Sequence, residues 1–284
     1  MNGDPLVSTK WLHDHLHDSD VRVIDAAYRM PAMRPPLAGD EYKARHIPGA
    51  VFFDVDAVAD HTTNLPHMLP PPLLFAREAG ALGIENGDFV VIYDRGDYMG
   101  APRAWWTFGV FGHERVKVLD GGLKKWIADG YAVNGDAVHP SSRTYRAHLN
   151  ERRVRRLEQM EANVKSKVEQ VIDARARERF EGTAAEPWPG RRSGHIPGSL
   201  NVPFNDLIDP ATGEMKPVAE LRKIFEDAKA DLERPIVTSC GSGVTAGVLS
   251  LALARLGVEE SALYDGSWAE WGLPEGPAVA TGKP

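Results

Sequence analysis

The sequence predicts an α/β protein made of two similar domains in tandem, each a parallel sheet with helices on both faces. Three observations point there. The second half of the chain restates the first: VIDAAYRM is answered by VIDARARERF, ARHIPGAVFFDVD by SGHIPGSLNVPFND, and VKVLDGGLKKW by SALYDGSWAEW. The offsets nearly agree, at 148 residues from Asp25 to Asp173, 149 from His46 to His195 and 145 from Trp126 to Trp271. A period that long repeats a whole domain, not a solenoid unit. Within each half, short β-branched segments alternate with longer helical ones, the pattern of parallel sheets layered with helices. Finally, the one cysteine of the 284 residues, Cys240, sits between a β-branched run and a glycine-spaced turn, where open α/β sheets bind their ligands.

Taken in order, Val21–Asp25, Phe89–Tyr93 and Val116–Leu119 read as strands in the first half, and residues 171–173, Ile236–Ser239 and Ala262–Tyr264 in the second. Residues 244–256, apolar nearly all round, read as a buried helix. The similar stretches run over about residues 10–135 and 165–275, so the expected division is a first domain at 1–140, a linker at 141–164 and a second domain at 165–284. The arginine-rich run at 148–157 reads as a solvated linker or helix face.

Composition narrows the function classes. At 43% hydrophobic and 26% charged residues the chain is that of an ordinary globular protein. Its formal charge is −7, with 40 acidic against 33 basic residues, so neither nucleic acid nor an anionic membrane surface is an expected partner. No uncharged apolar run approaches the roughly 18 residues that cross a bilayer. One cysteine makes no internal disulfide, and the N-terminal residues lack the basic-then-apolar pattern of a secretory signal, so the expected location is the cytoplasm. The ten histidines show none of the paired spacing typical of zinc sites, and neither a metal nor a cofactor is expected.

Cys240 lies at the carboxyl end of a strand and before a helix N-terminus. A thiol becomes a nucleophile as thiolate, and unpaired N–H groups at a helix N-terminus favour that form. Gly241 and Gly243 let the backbone curl so that several N–H groups face the sulfur, or an anion beside it. A free cysteine is also commonly a small buried hydrophobe; position and glycine spacing favour the catalytic reading.

These motifs, doubled and in this order, resemble the two-domain sulfurtransferases of the rhodanese family. The resemblance runs from Asp25 and HIPGA through APRAWW at 101–106 and LDGGLKKW to CGSGVTA and YDGSWAEW. It implies two tandem rhodanese-like domains, of which the first is inactive and the second carries the cysteine. The repeat agrees, since it sets Asp94 opposite Cys240, and a carboxylate cannot hold a persulfide. The loop CGSGVTA resembles the 3-mercaptopyruvate branch, with thiosulfate as the alternative donor. Thiosulfate members carry two basic residues after the cysteine, where this chain has Gly241 and Ser242. The implied chemistry is attack of Cys240 on the donor sulfur, loss of pyruvate, and transfer from the persulfide to an acceptor: a thiol, thioredoxin or cyanide. The N–H groups of Gly241, Ser242, Gly243, Val244 and Thr245 would stabilise the anionic sulfur, as in an oxyanion hole.

A donor carboxylate calls for a bidentate arginine, and Arg179 matches the family's first substrate arginine. The second lies nine residues on in the family, where this chain has Trp188; Arg191 and Arg192 either replace it or are surface arginines. The resemblance also implies an Asp–His–Ser relay at Asp56, His67 and Ser242, passing a proton to the departing enolate across the domain interface. The alternative is that His67 only hydrogen-bonds at that interface. Asp173, His46 and His195 read as scaffold, because a polar residue recurring in the inactive copy argues for folding.

Two rivals differ in class. Protein phosphatases also place a cysteine loop before a helix, but grip phosphate through Cys-x5-Arg, and the sixth residue after Cys240 is Ala246. A non-catalytic docking module is the second, and rapid iodoacetamide labelling of Cys240 at pH 6 separates the enzyme from it.

Overall fold

The computed structural model describes residues 3–30, 33–258 and 261–283, and the chain divides into two compact units. Unit 1 holds residues 1–60, 69–150 and 209–215, and unit 2 holds 61–68, 151–208 and 216–284.

The sheet of unit 1 is built from β1 (Leu6–Val7), β2 (Val21–Asp25), β3 (Val51–Phe52), β4 (Phe89–Tyr93) and β5 (Val116–Leu119), in the order β1-β5-β4-β2-β3. That of unit 2 is built from β6 (Val154–Arg155), β7 (Gln170–Asp173), β8 (Leu200–Asn201), β9 (Ile236–Ser239) and β10 (Ala262–Tyr264), in the order β6-β10-β9-β7-β8. Every pairing is parallel, and the two orders correspond strand for strand. The internal repeat in sequence is therefore a repeat in topology. Five of the six expected strands have their expected bounds, and β7 begins one residue earlier, at Gln170. The four two-residue edge strands were not foreseen, because two residues are too few to show a period.

Helices complete each unit. Unit 1 carries α1 (Thr9–His15), α2 (Ala38–Ala44), α3 (Pro72–Ala81), α4 (Ala101–Val110) and α5 (Gly122–Ala128). Unit 2 carries α6 (Leu157–Ser166), α7 (Arg177–Phe180), α8 (Val218–Asp227), α9 (Ala246–Arg255) and α10 (Ser267–Trp271). The core of unit 1 gathers Val23, Val91, Tyr93, Leu119 and Trp126, and that of unit 2 gathers Val171, Val237, Tyr264, Trp268 and Trp271. Each such side chain contributes roughly 1.5–3 kcal/mol on burial. Residues 246–253 of α9 are all buried, as the apolar run demands.

The linker expected at 141–164 is different in the structure. Residues 141–150 belong to unit 1: Tyr145 is buried, and Arg143 donates 3.0 Å to the Asp88 carboxylate. Beyond them β6 pairs with β10 and α6 begins, so the boundary falls after Asn150. The arginine run misled in part because one of its heads finds a distant carboxylate: Arg155 makes a two-point ion pair with Glu169, Nε to Oε2 at 2.9 Å and Nη2 to Oε1 at 2.6 Å. Arginine stems pack well on an edge strand when the charge is met this way.

The residues read as scaffold behave alike in both units. His46 and His195 are buried, and each ring Nδ1 meets a backbone carbonyl at 2.8 Å, that of Tyr42 and of Phe180 respectively. Each also forms an isolated antiparallel bridge, to Asn134 and to Ala280.

Candidate active site

Cys240 follows β9 directly, and its loop feeds α9 at Ala246. The side chain is 1% exposed, and its Sγ accepts a hydrogen bond from Gly243 N at 3.1 Å. Gly243 has φ +81°, in the left-handed region that costs a side chain energy and glycine almost nothing. That conformation turns its N–H back on the sulfur. Val244 is buried, and Ser242 and Thr245 are half-buried.

A second element fixes the loop from the other side. Trp268 N and Ala269 N, in the first turn of α10, donate to the carbonyls of Cys240 and Gly241 at 2.9 and 2.7 Å. Ser267 Oγ accepts from Cys240 N at 3.2 Å and donates to Tyr264 O at 2.8 Å. The DGSW turn is thus the clamp that holds the loop, a role the sequence left unassigned although DGS and DGG recur in both halves.

Arg179, on α7, stands over this loop: a Cβ added at Gly241 would lie 2.9 Å from its Nη2. Its guanidinium is held edge-on by Glu186, with Nη2 to Oε2 at 2.6 Å and Nε to Oε1 at 3.2 Å. The Glu186 side chain is 1% exposed and also accepts from Arg175 Nη1 at 2.9 Å. Arg175 in turn grips Asp173 with Nε and Nη2, donates to Gly194 O at 2.8 Å, and lies 4.2 Å over the Trp268 ring. Sequence reasoning missed Glu186, since a carboxylate seven residues from its partner in an irregular segment has no periodic signature.

The remaining expected residues are placed as follows. His67 groups with unit 2, the unit of Cys240. It is 7% exposed with φ +59°, and its ring meets that of Trp188 edge-on at 6.3 Å. Asp56 groups with unit 1, where it is ion-paired with Arg34. Arg191 Nε donates to Ala269 O at 2.8 Å, one hydrogen bond away from Gly241. Arg192 Nη2 donates to Trp271 O, the last residue of α10, and to Pro277 O, both at 2.8 Å. Both alternatives to the family's second arginine thus hold backbone carbonyls, Arg191 also through Nη1 to Pro189 O at 3.2 Å.

In unit 1 the position of Cys240 is taken by Asp94. Its carboxylate accepts from Gly96 N at 3.0 Å and Ala101 N at 3.1 Å, so it lies at the N-terminus of α4. Burial, with Asp97 nearby, pushes its pKa up to about 7.

The comparisons with known proteins agree with this architecture. The rhodanese-like domain matches twice, over residues 8–129 and 156–273. Thiosulfate/3-mercaptopyruvate sulfurtransferase 2 of Arabidopsis thaliana is 46% identical, with 94% of this chain and 84% of that protein covered. The 3-mercaptopyruvate sulfurtransferase of Escherichia coli K12 is 42% identical, with 94% of each covered. The crystal structure of SseA from Escherichia coli superposes with a TM-score of 0.86 at 40% identity, covering 94% of this chain and 99% of that one. Two matched domains, one with its cysteine loop and one with Asp94 in its place, make this chain a two-domain member of the rhodanese family.

Proposed function

We propose that the protein is a sulfurtransferase that moves sulfane sulfur from 3-mercaptopyruvate through a Cys240 persulfide to an acceptor. The observation that carries this reading is the conjunction of Gly243 N on Cys240 Sγ with the Arg179 guanidinium over Gly241. One holds a sulfur anion and the other faces a donor carboxylate. The relatives' names include this donor, alone for the Escherichia coli protein and together with thiosulfate for the Arabidopsis protein.

In the first step the Cys240 thiolate attacks the donor sulfur. An S–S bond forms as the carbon–sulfur bond breaks, and the electron pair leaves with carbon as the enolate of pyruvate. The enolate takes up a proton, which Ser242 and His67 supply, and Asp56→Asn tests whether that carboxylate backs the imidazole. In the second step a thiolate acceptor, such as a small thiol or reduced thioredoxin, attacks the outer sulfur and releases the Cys240 thiolate; cyanide would leave as thiocyanate. The loop N–H groups from Gly241 to Thr245 stabilise charge on sulfur in both steps, as fixed dipoles that need no reorganisation. Arg179 binds the donor carboxylate through its free Nη1 side, and Arg191, tethered beside the loop, is the second ligand.

We place the reaction in the cytoplasm, where thiols stay reduced. One plant relative is named mitochondrial, and fractionation distinguishes the two compartments. Among the described residues no helix is long and apolar enough to cross a membrane. The deciding experiment is steady-state turnover with mercaptopyruvate and with thiosulfate, each against a thiol, thioredoxin and cyanide. Pyruvate release tied to sulfur appearing on the acceptor supports the proposal; a preference for thiosulfate would replace the donor, and no transfer from either would leave a docking module.

A further inference from the structure

Arg179 cannot be held by its own helix, because α7 is one turn long and the guanidinium lies at the end of a flexible stem. It is held by a chain of alternating charges that starts in the sheet. Asp173, the last residue of β7, takes Arg175 Nε and Nη2. The Arg175 side chain is fully buried and passes its remaining Nη1 to Glu186. Glu186 then takes the Nε and Nη2 edge of Arg179. Burial works against the Arg175 charge, but Asp173 and Glu186 outweigh it and hold the guanidinium above its ordinary range.

The inactive copy shows that the fold does not require this chain. Asp25 corresponds to Asp173, and its Oδ1 accepts from Ala27 N at 3.0 Å as Asp173 Oδ1 accepts from Arg175 N at 2.9 Å. Ala27, the counterpart of Arg175, brings no guanidinium. Asp25 is instead ion-paired with Arg95, which occupies the place of Gly241 beside Asp94. Unit 1 therefore satisfies its strand-end carboxylate without an arginine at the second following position. Unit 2 keeps one there, together with a buried glutamate, where Arg179 must face the loop.

We propose that Glu186 is the positioning residue for Arg179: it occupies the guanidinium's Nε edge and leaves the Nη1 side as the face presented to an anion beside Cys240. A guanidinium has one side edge and one end edge for two-point contact with a carboxylate. With the side edge taken, an incoming carboxylate meets a single orientation of Arg179, fixed through Arg175 to β7. This rests on the functional reading above only for the identity of the anion as the mercaptopyruvate carboxylate.

The test uses the whole protein and two alkylating reagents of similar size, iodoacetate, which carries a carboxylate, and iodoacetamide, which does not. Glu186→Gln turns an amide NH2 toward Arg179 in either orientation, since Oε2 meets Arg179 alone and Oε1 meets both arginines. It should lower the iodoacetate-to-iodoacetamide rate ratio at Cys240 about tenfold, the value of one charge-assisted hydrogen bond. KM for mercaptopyruvate should rise by a similar factor with kcat within about twofold. Glu186→Asp, one methylene too short to span both arginines, should lower the ratio by a smaller factor, at least about twofold. In an Arg179→Ala background Glu186→Gln should leave the ratio unchanged, since the guanidinium it positions at the loop is gone. A ratio unchanged in either single variant overturns the proposal. So does an equal slowing of both reagents, which is a purely structural effect, or a rising ratio, which means that Glu186 only offsets the charge of Arg179. The alkylation ratio needs no sulfur donor, so failure of the donor assignment leaves this result readable.

Discussion

At Cys240 the sulfur has one placed donor, Gly243 N, and a loop clamped by α10. Cys240→Ser keeps the packing but gives an atom that cannot carry sulfane sulfur. Transfer should vanish, and mass spectrometry should find one added sulfur on the wild-type protein after donor and none on the variant. Gly241 owes its place to space and not to backbone angle. A Cβ there would sit 2.9 Å from Arg179 Nη2, so Gly241→Ala should displace the guanidinium and raise KM for mercaptopyruvate about five- to tenfold, ~1–1.4 kcal/mol, with kcat little changed. Arg191 and Arg192 should separate cleanly. Arg191→Ala should raise the same KM, whereas Arg192→Ala loses two carbonyl contacts at and beyond the end of α10 and should lower the melting temperature with KM unmoved.

The two central strands and the loops that follow them show how one element was put to two uses. β9 leads into Cys240 and the α9 helix, and β4 leads into Asp94 and α4. Trp268 N donates to Cys240 O at 2.9 Å as Leu123 N donates to Asp94 O at 2.8 Å. In unit 1 the site's own carboxylate fills the space at the helix N-terminus. Its folded pKa of about 7 lies above the ordinary 3.8, so the folded state holds the proton more tightly than the unfolded chain. The stabilisation is present in full below about pH 4 and is lost as pH rises through 7, on the order of a few kcal/mol. Asp25, raised by burial against the pull of Arg95, and Asp97, raised by burial against Arg29 and Arg95, act with the same sign. Unit 1 should therefore resist denaturant better at pH 5 than at pH 8, read by hydrogen exchange of the β4 amides. Asp94→Asn should remove much of that slope; an equal slope in the variant would assign it to other groups.

For the protein as a whole the decisive property is donor choice. Thiosulfate carries the charge of its leaving sulfite beside the scissile bond, where Gly241 and Ser242 offer backbone dipoles and a hydroxyl but no cation. The carboxylate of mercaptopyruvate lies farther from sulfur, suited to Arg179, and its leaving enolate needs a proton. We expect kcat/KM to favour mercaptopyruvate by about two orders of magnitude, ~2.7 kcal/mol of differential transition-state binding. Gly241→Arg with Ser242→Lys should narrow that margin from both sides, by adding charge near the sulfur and by moving Arg179. His67→Ala should slow mercaptopyruvate more than thiosulfate, because sulfite leaves without a proton.

The doubled α/β architecture is legible in the sequence, because repetition and β-branched runs are one-dimensional signals. The sequence located Cys240 at a strand's carboxyl end for the same reason: strand, glycine turn and apolar helix are contiguous in the chain. It also singled out Arg179, through resemblance, and the absence of its partner at Trp188. Whatever depends on residues far apart in sequence came from the folded structure. It carried unit 1 on to Asn150, since the contacts of residues 141–150 lie with Asp88, Val110 and Phe111, and gave that unit residues 209–215 besides. It turned part of the arginine run into an edge strand neutralised by Glu169, tied Arg192 to the backbone at the end of α10, and grouped His67 with the unit that carries the thiol. Above all it set Glu186 between two arginines. A carboxylate buried this deeply keeps its charge where cations already wait for it, and those cations are positioned by the fold.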